Sequence, residues 1–368
     1  MAGRAGDTRR SFLGGALGGA VLSALSAIGC GARPAPKEPP REPKAPASTT
    51  VAALTDLLPL AGLRWLVISR PREIAAVPWL IPAIGRVVPE RRLDLFAAAT
   101  ALDLRQSPEA AIASYDEAAA RGEGAADGEA DPGAAPTAAG SATFYLVRHA
   151  ADPLTIERAF RARLTSGEQR IVERPDLVRV SGATASAQRA IVVLGRDVVG
   201  FQEGGNLDRG PARIAALYAK GKLKRSATAL ARDPLRALDA RFGSAPARAF
   251  AVGPFEGELA RGARGLLAGA TAIGASARPS AREKIALAIA VAGDFGATGP
   301  KASDELLRAW NELAEGSFGH LLGLDRPIDR PLATHGPGAV AIAVELDPDK
   351  LAGGLAAATA DRVEELMR

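Results

Sequence analysis

After residue 50, the apolar positions repeat one local pattern: a short apolar run, a polar exit and then an amphipathic stretch. The pattern begins at 63–71 and occurs in full at 144–164 and at 340–368. A proline stands just after each polar exit, and this residue costs nothing at the first position of a helix. Asp152 and Asp347 precede two of these prolines and can accept hydrogen bonds from the free N–H groups of the first turn. We therefore predict three comparable strand-to-helix units, the last with a helix running to residue 368.

The middle of the chain has the alternation of β-strands. Segments 177–181 and 190–194 are predicted strands, and 195–197 turns the chain into a third, 198–201, as a hairpin. Residues 285–291 alternate isoleucine, leucine or valine with alanine, so that one face is large and the other small. The run 266–277 is also rich in Ala and Gly, and we predict a similar strand there.

Helices are predicted between these strands. Ser107-Pro108-Glu109 has the form of a helix start, and Ser303 is suited to cap a helix that carries Leu306, Trp310 and Leu313 at helical spacing. Strand pairs joined by turns, with helices in blocks, are typical of an α+β fold with a largely antiparallel sheet and packed amphipathic helices. The region 51–368 is long enough for one large domain or two lobes.

One internal segment departs from this pattern. Residues 116–142 are rich in Ala, Gly, Asp and Glu and show no apolar period. Such a composition buries too little apolar surface to offset the entropy of ordering. We predict a disordered acidic loop inserted in the α+β region, with a role that the sequence leaves open.

The charge distribution argues against nucleic-acid binding, and the cysteine content argues against stabilisation by disulfides. Most of the formal net charge of +5 lies in the first 50 residues, so the α+β region is close to neutral and shows no electrostatic footprint for nucleic acid. The single cysteine, Cys30, lies outside that region. The fold must therefore be stabilised by packing rather than by disulfides.

The first thirty residues have the layout of an export signal. Thr8-Arg9-Arg10-Ser11-Phe12-Leu13 is followed by an uncharged stretch that extends to Gly29. The segment resembles twin-arginine signal peptides, in which Arg9 and Arg10 would be the paired arginines. The resemblance implies that the protein is exported after it has folded, and that residues 1–29 are the signal peptide.

The residues that end this stretch indicate a lipid anchor. Ala27-Ile28-Gly29-Cys30 resembles the lipobox of bacterial lipoproteins, in which the chain is cut before the cysteine and the thiol is acylated. The resemblance implies lipidation at Cys30 and a location on the periplasmic side of the cell envelope. Gly31 follows the cysteine where an aspartate would retain the protein in the inner membrane, which favours the outer membrane. The open alternative is an uncleaved single-span anchor.

Residues 30–50 comprise the predicted lipidated cysteine and a proline-rich tether. Six prolines alternate there with Lys, Arg and Glu. Proline biases a chain towards extended polyproline II, so this tether acts as a semi-rigid spacer between bilayer and domain.

One motif suggests an enzyme. The run 144–150, which ends Arg148-His149-Ala150, resembles the first motif of the histidine phosphatase family. The resemblance implies that His149 is the nucleophile and that Arg148 and Arg189 hold phosphate, with His335 as the second histidine. The alternative is a structural role, in which Arg148 and His149 are the polar residues that end a strand.

No cofactor-binding or metal-binding pattern is visible in the sequence, and no serine-nucleophile, P-loop or dinucleotide motif occurs. Our prediction is a membrane-anchored envelope lipoprotein that binds or scaffolds rather than catalyses. One version of this function is an apolar-ligand carrier, in which the small-residue face of strands 266–277 and 285–291 leaves room for an acyl chain. The alternative is an exported hydrolase that uses Arg148, His149, Arg189 and His335.

Overall fold

The structure is a computed structural model that describes residues 51–116, 140–223, 227–257, 261 and 263–367. The predicted signal and tether, with Arg9, Arg10 and Cys30, lie outside the described residues. Most of the predicted acidic loop, residues 117–139, also lies outside them.

The described residues form twelve strands and nine α-helices. In chain order the strands are β1 (Leu63–Ser69), β2 (Ala110–Asp116), β3 (Ser141–Arg148), β4 (Ser166–Arg174), β5 (Leu177–Ala183), β6 (Gln188–Leu194), β7 (Val198–Gly204), β8 (Ala247–Val252), β9 (Ala270–Pro279), β10 (Ile285–Gly293), β11 (Leu332–Gly336) and β12 (Ala339–Leu346). The helices are α1 (Pro71–Ala75), α2 (Ile81–Val87), α3 (Glu90–Thr100), α4 (Pro153–Arg161), α5 (Pro211–Ala219), α6 (Leu235–Phe242), α7 (Gly299–Glu315), α8 (Ser317–Leu322) and α9 (Pro348–Met367).

The fold is α+β with antiparallel strand pairing, as the sequence predicts. The chain divides into two compact units. As far as the structure describes them, the first unit comprises residues within 64–92 and 230–367, and the second comprises residues within 51–63 and 93–229.

In the first unit, the strands follow the order β11-β12-β10-β9-β8-β1. Helix α7 packs on β11 and β12, and its Leu306 and Trp310 join Val340 and Ile342 in a buried cluster. Helix α6 packs on β8, β9 and β10. There Phe242 fits above Gly274, where a Cβ atom would lie 2.5 Å from the ring. The sheet of this unit therefore has helices on both faces.

In the second unit, the strands follow the order β2-β3-β7-β6-β5-β4. Helix α5 packs across β3, β5, β6 and β7, and helix α4 contacts β6. The edge strand β4 is secured by Arg170, which donates to the buried Glu157 of α4 at 2.5 Å and 3.2 Å. A buried carboxylate with this bidentate partner ties the edge of the sheet to the helix.

The strand-to-helix units are present, and their caps differ. Asp152 accepts hydrogen bonds from the backbone N–H groups of Leu154 and Thr155 at the start of α4. Asp347 accepts in the same way from Asp349 and Lys350 at the start of α9. Arg70 precedes α1 without a capping side chain.

Two predicted helix starts are wrong. Ser107-Pro108-Glu109 leads into strand β2, because pairing with β3 outweighs a local capping pattern. Helix α7 begins at Gly299, with Pro300 in its first turn, and the hydroxyl of Ser303 donates to the Pro300 carbonyl from inside the helix.

Two predicted boundaries also change. The acidic segment is shorter than predicted, since Asp116 ends β2 and Ala142 lies in β3. The run 266–277 begins in a 3-10 segment, Ala263–Gly269, and becomes strand β9 only from Ala270.

None of the described helices is both long enough and apolar enough to cross a bilayer.

Candidate functional site

Arg148 stands at the end of β3 and is fully engaged by its own unit. Its guanidinium pairs with Asp197 and lies 3.8 Å from Glu109. It also donates to the backbone carbonyls of Val51, at 3.0 Å, and Ala52, at 3.3 Å. Arg148 therefore fastens the first described residues, where the predicted tether ends, to the second unit.

His149 is buried, with 7% of its surface exposed. Its Nδ1 lies 3.1 Å from the Ala151 carbonyl, which requires a proton on Nδ1, and Nε2 is buried without a hydrogen-bond partner. Burial lowers the pKa of His149, and the Ala151 carbonyl and the charge of Asp197 oppose that change. An imidazole whose Nε2 is enclosed by the protein is poorly placed to attack a substrate.

The four residues suggested by the phosphatase resemblance are not assembled in the second unit. Strand β7 pairs Val198 with Arg148 and Glu203 with Arg189. The two arginines are thus five positions apart along β7, about 17 Å, and on opposite faces of the sheet. His335 belongs to β11 of the first unit.

A different feature emerges on the first unit's sheet. Alanines of two neighbouring strands, β8 and β9, lie together on one face, and the cross-strand pairs Ala249–Ala275 and Ala247–Ala277 place them side by side. Ala251 continues the same face of β8, and Ile273 pairs with it. The result is a floor of five alanines, about 14 Å long, that ends at Ile273.

Larger apolar residues flank this floor on both sides. On β10, Leu287 and Ile289 pair with Ala277 and Ala275. On β1, Trp65 and Val67 pair with Ala251 and Ala249. We call the surface formed by these residues the alanine groove: its floor and end are Ala247, Ala249, Ala251, Ala275, Ala277 and Ile273, and its walls are Leu287, Ile289, Trp65 and Val67.

Every residue of the alanine groove is half-buried. Leu66, Ile68 and Phe250, which alternate with them on β1 and β8, are buried on the other face. Ile273, Leu287 and Ile289 also pack against the buried cluster beneath α7. The groove is therefore an extension of the core that remains partly open to solvent.

The groove lies on the opposite face from the one that the sequence suggested. The alanines of β10 that were expected to leave room are 286, 288 and 290, and helix α6 packs on that face. Ala290 is fully buried there. The open small-residue surface is instead supplied by β8 and β9.

The sequence carried only part of this signal. Strand β8 has alanine at every second position, 247, 249 and 251, which predicts a small face. Trp65 and Val67 gave no sign of a binding role, since the register of β1 against β8 is a tertiary property. Within the described ranges, no group of three His, Cys, Asp or Glu side chains is placed to hold a metal ion.

Comparison with protein families and with curated proteins finds no match. Among solved structures, the chain is similar to TP0453 in its crystal form IV, with 7% sequence identity and a TM-score of 0.42. The match covers 81% of this chain and 96% of that one.

Proposed function

We propose that the protein is an exported lipoprotein of the cell envelope, anchored through Cys30, that binds an apolar ligand in the alanine groove. The observation that carries the proposal is the half-buried state of ten apolar side chains that share one face of a sheet. Contiguous apolar surface that stays accessible marks binding sites on soluble domains.

The shape of the groove favours an acyl chain or a similar slender ligand. Methyl groups form the floor, while Leu287 and Ile289 stand on one side and Trp65 and Val67 on the other. An aliphatic chain laid along the strands would contact carbon atoms on three sides. Each methylene that it buries contributes about 0.8 kcal/mol.

The proposed anchor and tether determine where the ligand is bound. Acylation at Cys30 would hold the protein at a membrane surface on the periplasmic side, and the proline-rich residues 31–50 would keep the binding unit clear of the bilayer. Arg148 supports this arrangement, because it fixes Val51, where the tether meets the second unit. The outer membrane is the membrane we propose.

A dye-binding titration tests the groove. We expect the uncharged apolar dye N-phenylnaphthylamine to bind the full-length Cys30→Ala protein saturably and to be displaced by a long-chain fatty acid. Ala275→Lys places an ammonium group in the groove floor and should weaken dye binding by about tenfold or more, because desolvating a charge is costly.

The matched control is Ala281→Lys, the same substitution at an exposed position in the β9–β10 turn. It should bind dye as the parent protein does. Equal binding by both lysine variants, or dye binding that no fatty acid displaces, would rule out the alanine groove as the site.

A further inference from the structure

Two arginines of the second unit, Arg163 and Arg189, lie close together and have too few hydrogen-bond acceptors for their N–H groups. Arg189 of β6 donates to Glu203 at 3.0 Å, yet its Nε is buried without a partner. Arg163, which follows α4, has a buried Nη2 that also lacks a hydrogen-bond partner. In the described part of the chain, no carboxylate lies within ion-pair distance of Arg163.

The backbone holds this arginine pair in place. Thr165 donates from its backbone N–H to the Ala183 carbonyl at 2.8 Å, which brings the turn after α4 against β5. Gly182 makes the approach possible, because a Cβ there would lie 3.0 Å from the Ser166 carbonyl oxygen. Gly182 pairs with Arg189 on β6, so the turn that carries Arg163 meets the sheet beside Arg189.

Placing the two guanidinium groups together costs free energy unless a further hydrogen-bond acceptor is bound. Two guanidinium groups repel each other, and burial, together with the proximity of Arg189, lowers the pKa of Arg163. Of the two arginines, only Arg189 is paired with a carboxylate, that of Glu203. Buried N–H groups without acceptors add the cost of lost hydration. The missing component is a negatively charged group with several oxygen atoms.

We propose that Arg163 and Arg189 form a binding site for an oxyanion, a phosphate or carboxylate group that accepts hydrogen bonds from both guanidinium groups. Arginine presents its N–H groups in a planar fork that matches such anions. Arg189 has 14% of its side chain exposed and Arg163 is half-buried, so the pair lies at the surface of its unit.

The neighbouring residues suit the head of an amphiphile. On the same sheet face, one step along the strands from Arg189 and Glu203, Ile191 pairs with Phe201 and Phe201 pairs with Tyr145. Phe201 and Tyr145 are half-buried. The oxyanion could therefore be a free ion or the head group of a lipid whose chain lies on these rings.

Titration of the full-length Cys30→Ala protein with inorganic phosphate and with octyl phosphate separates the two sources. Equal affinity for both probes identifies a free anion. Tighter binding of octyl phosphate that Phe201→Ala weakens identifies an amphiphile. In either case Arg163→Gln and Arg189→Gln should each reduce affinity by about tenfold or more, the loss expected for a charge-assisted hydrogen bond.

Arg158→Gln is the matched control, since Arg158 lies on α4 with 73% of its side chain exposed. It should bind both probes as the parent protein does. Absence of binding to the parent protein, or equal binding by the parent, Arg163→Gln and Arg189→Gln, would overturn the proposal.

Thermal unfolding supplies a second readout. In anion-free buffer, Arg163→Gln should unfold at a higher temperature than the parent protein, because it removes a desolvated charge. Phosphate or octyl phosphate should stabilise the parent and not the variant. An arginine with a purely structural role would give the reverse, a destabilised variant with unchanged binding. The oxyanion site and the alanine groove are separate proposals. Failure of the Ala275→Lys test would rule out the groove and leave the arginine pair unaffected.

Discussion

At the scale of single residues, Arg148 at the end of β3 joins several parts of the second unit. Arg148 meets Asp197, Glu109 and two backbone carbonyls, and removing it would leave these acceptors unpaired. The Arg-His pair could be located from the sequence as the polar exit of a strand. Its partners could not, because Val51 and Asp197 reach it only through tertiary contacts.

His149 should make the stability of the protein depend on pH. Burial holds the pKa of the folded imidazole below 6.5, its ordinary value. Below that pH the unfolded chain binds a proton that the folded chain resists, so stability is lost as the pH falls from 6.5 to the folded pKa, and no further loss arises from this group below that point.

Thermal melts of the parent and of His149→Asn between pH 7.5 and 5 measure this contribution. Asparagine keeps an N–H donor for the Ala151 carbonyl and does not titrate in this range. The melting temperature of the parent should fall relative to that of the variant as the pH decreases. Parallel curves would show that His149 is protonated equally easily in both states.

At the scale of elements, the strands were the most predictable part of the fold. The period-two pattern of 285–291 and the turn at 195–197 correspond to β10 and to the β6–β7 hairpin. Strand β2 is not predictable from the sequence, because Ser107-Pro108-Glu109 has the form of a helix start. The small residues that let layers approach, such as Gly200 and Gly274, were also not foreseeable, since their neighbours come from other elements.

Gly200 on β7 tests how closely the second unit is packed. A Cβ atom at this position would lie 2.6 Å from the ring of Phe144 and 2.9 Å from Val192. Gly200→Ala should therefore lower the free energy of unfolding by about 1–3 kcal/mol in urea titrations, the usual cost of overpacking.

Gly85→Ala is the control for this substitution. Gly85 lies in helix α2, and a Cβ atom added there would have no neighbouring atom within 4 Å. Alanine there should be neutral or stabilising by up to about 1 kcal/mol. A Gly200→Ala protein as stable as the parent would mean that Phe144 does not pack against this backbone.

At the scale of the whole molecule, the proposed export signal and lipid anchor precede a fold whose proposed binding surfaces depend on strand register. The α+β class follows from the pattern of strands and helices alone. The alanine groove does not, because one of its walls comes from β1, which is far in the sequence from β8, β9 and β10. The arginine pair likewise joins residues that 25 intervening positions separate.

The proposed lipid on Cys30 decides whether this fold operates from a membrane. Bacteria expressing the parent protein or Cys30→Ala should be labelled with radioactive palmitate and then fractionated. We predict labelled parent protein in the envelope membranes and an unlabelled Cys30→Ala protein. Equal label in both proteins, or an unlabelled parent protein in the cytosol with its leader intact, would contradict the lipoprotein assignment.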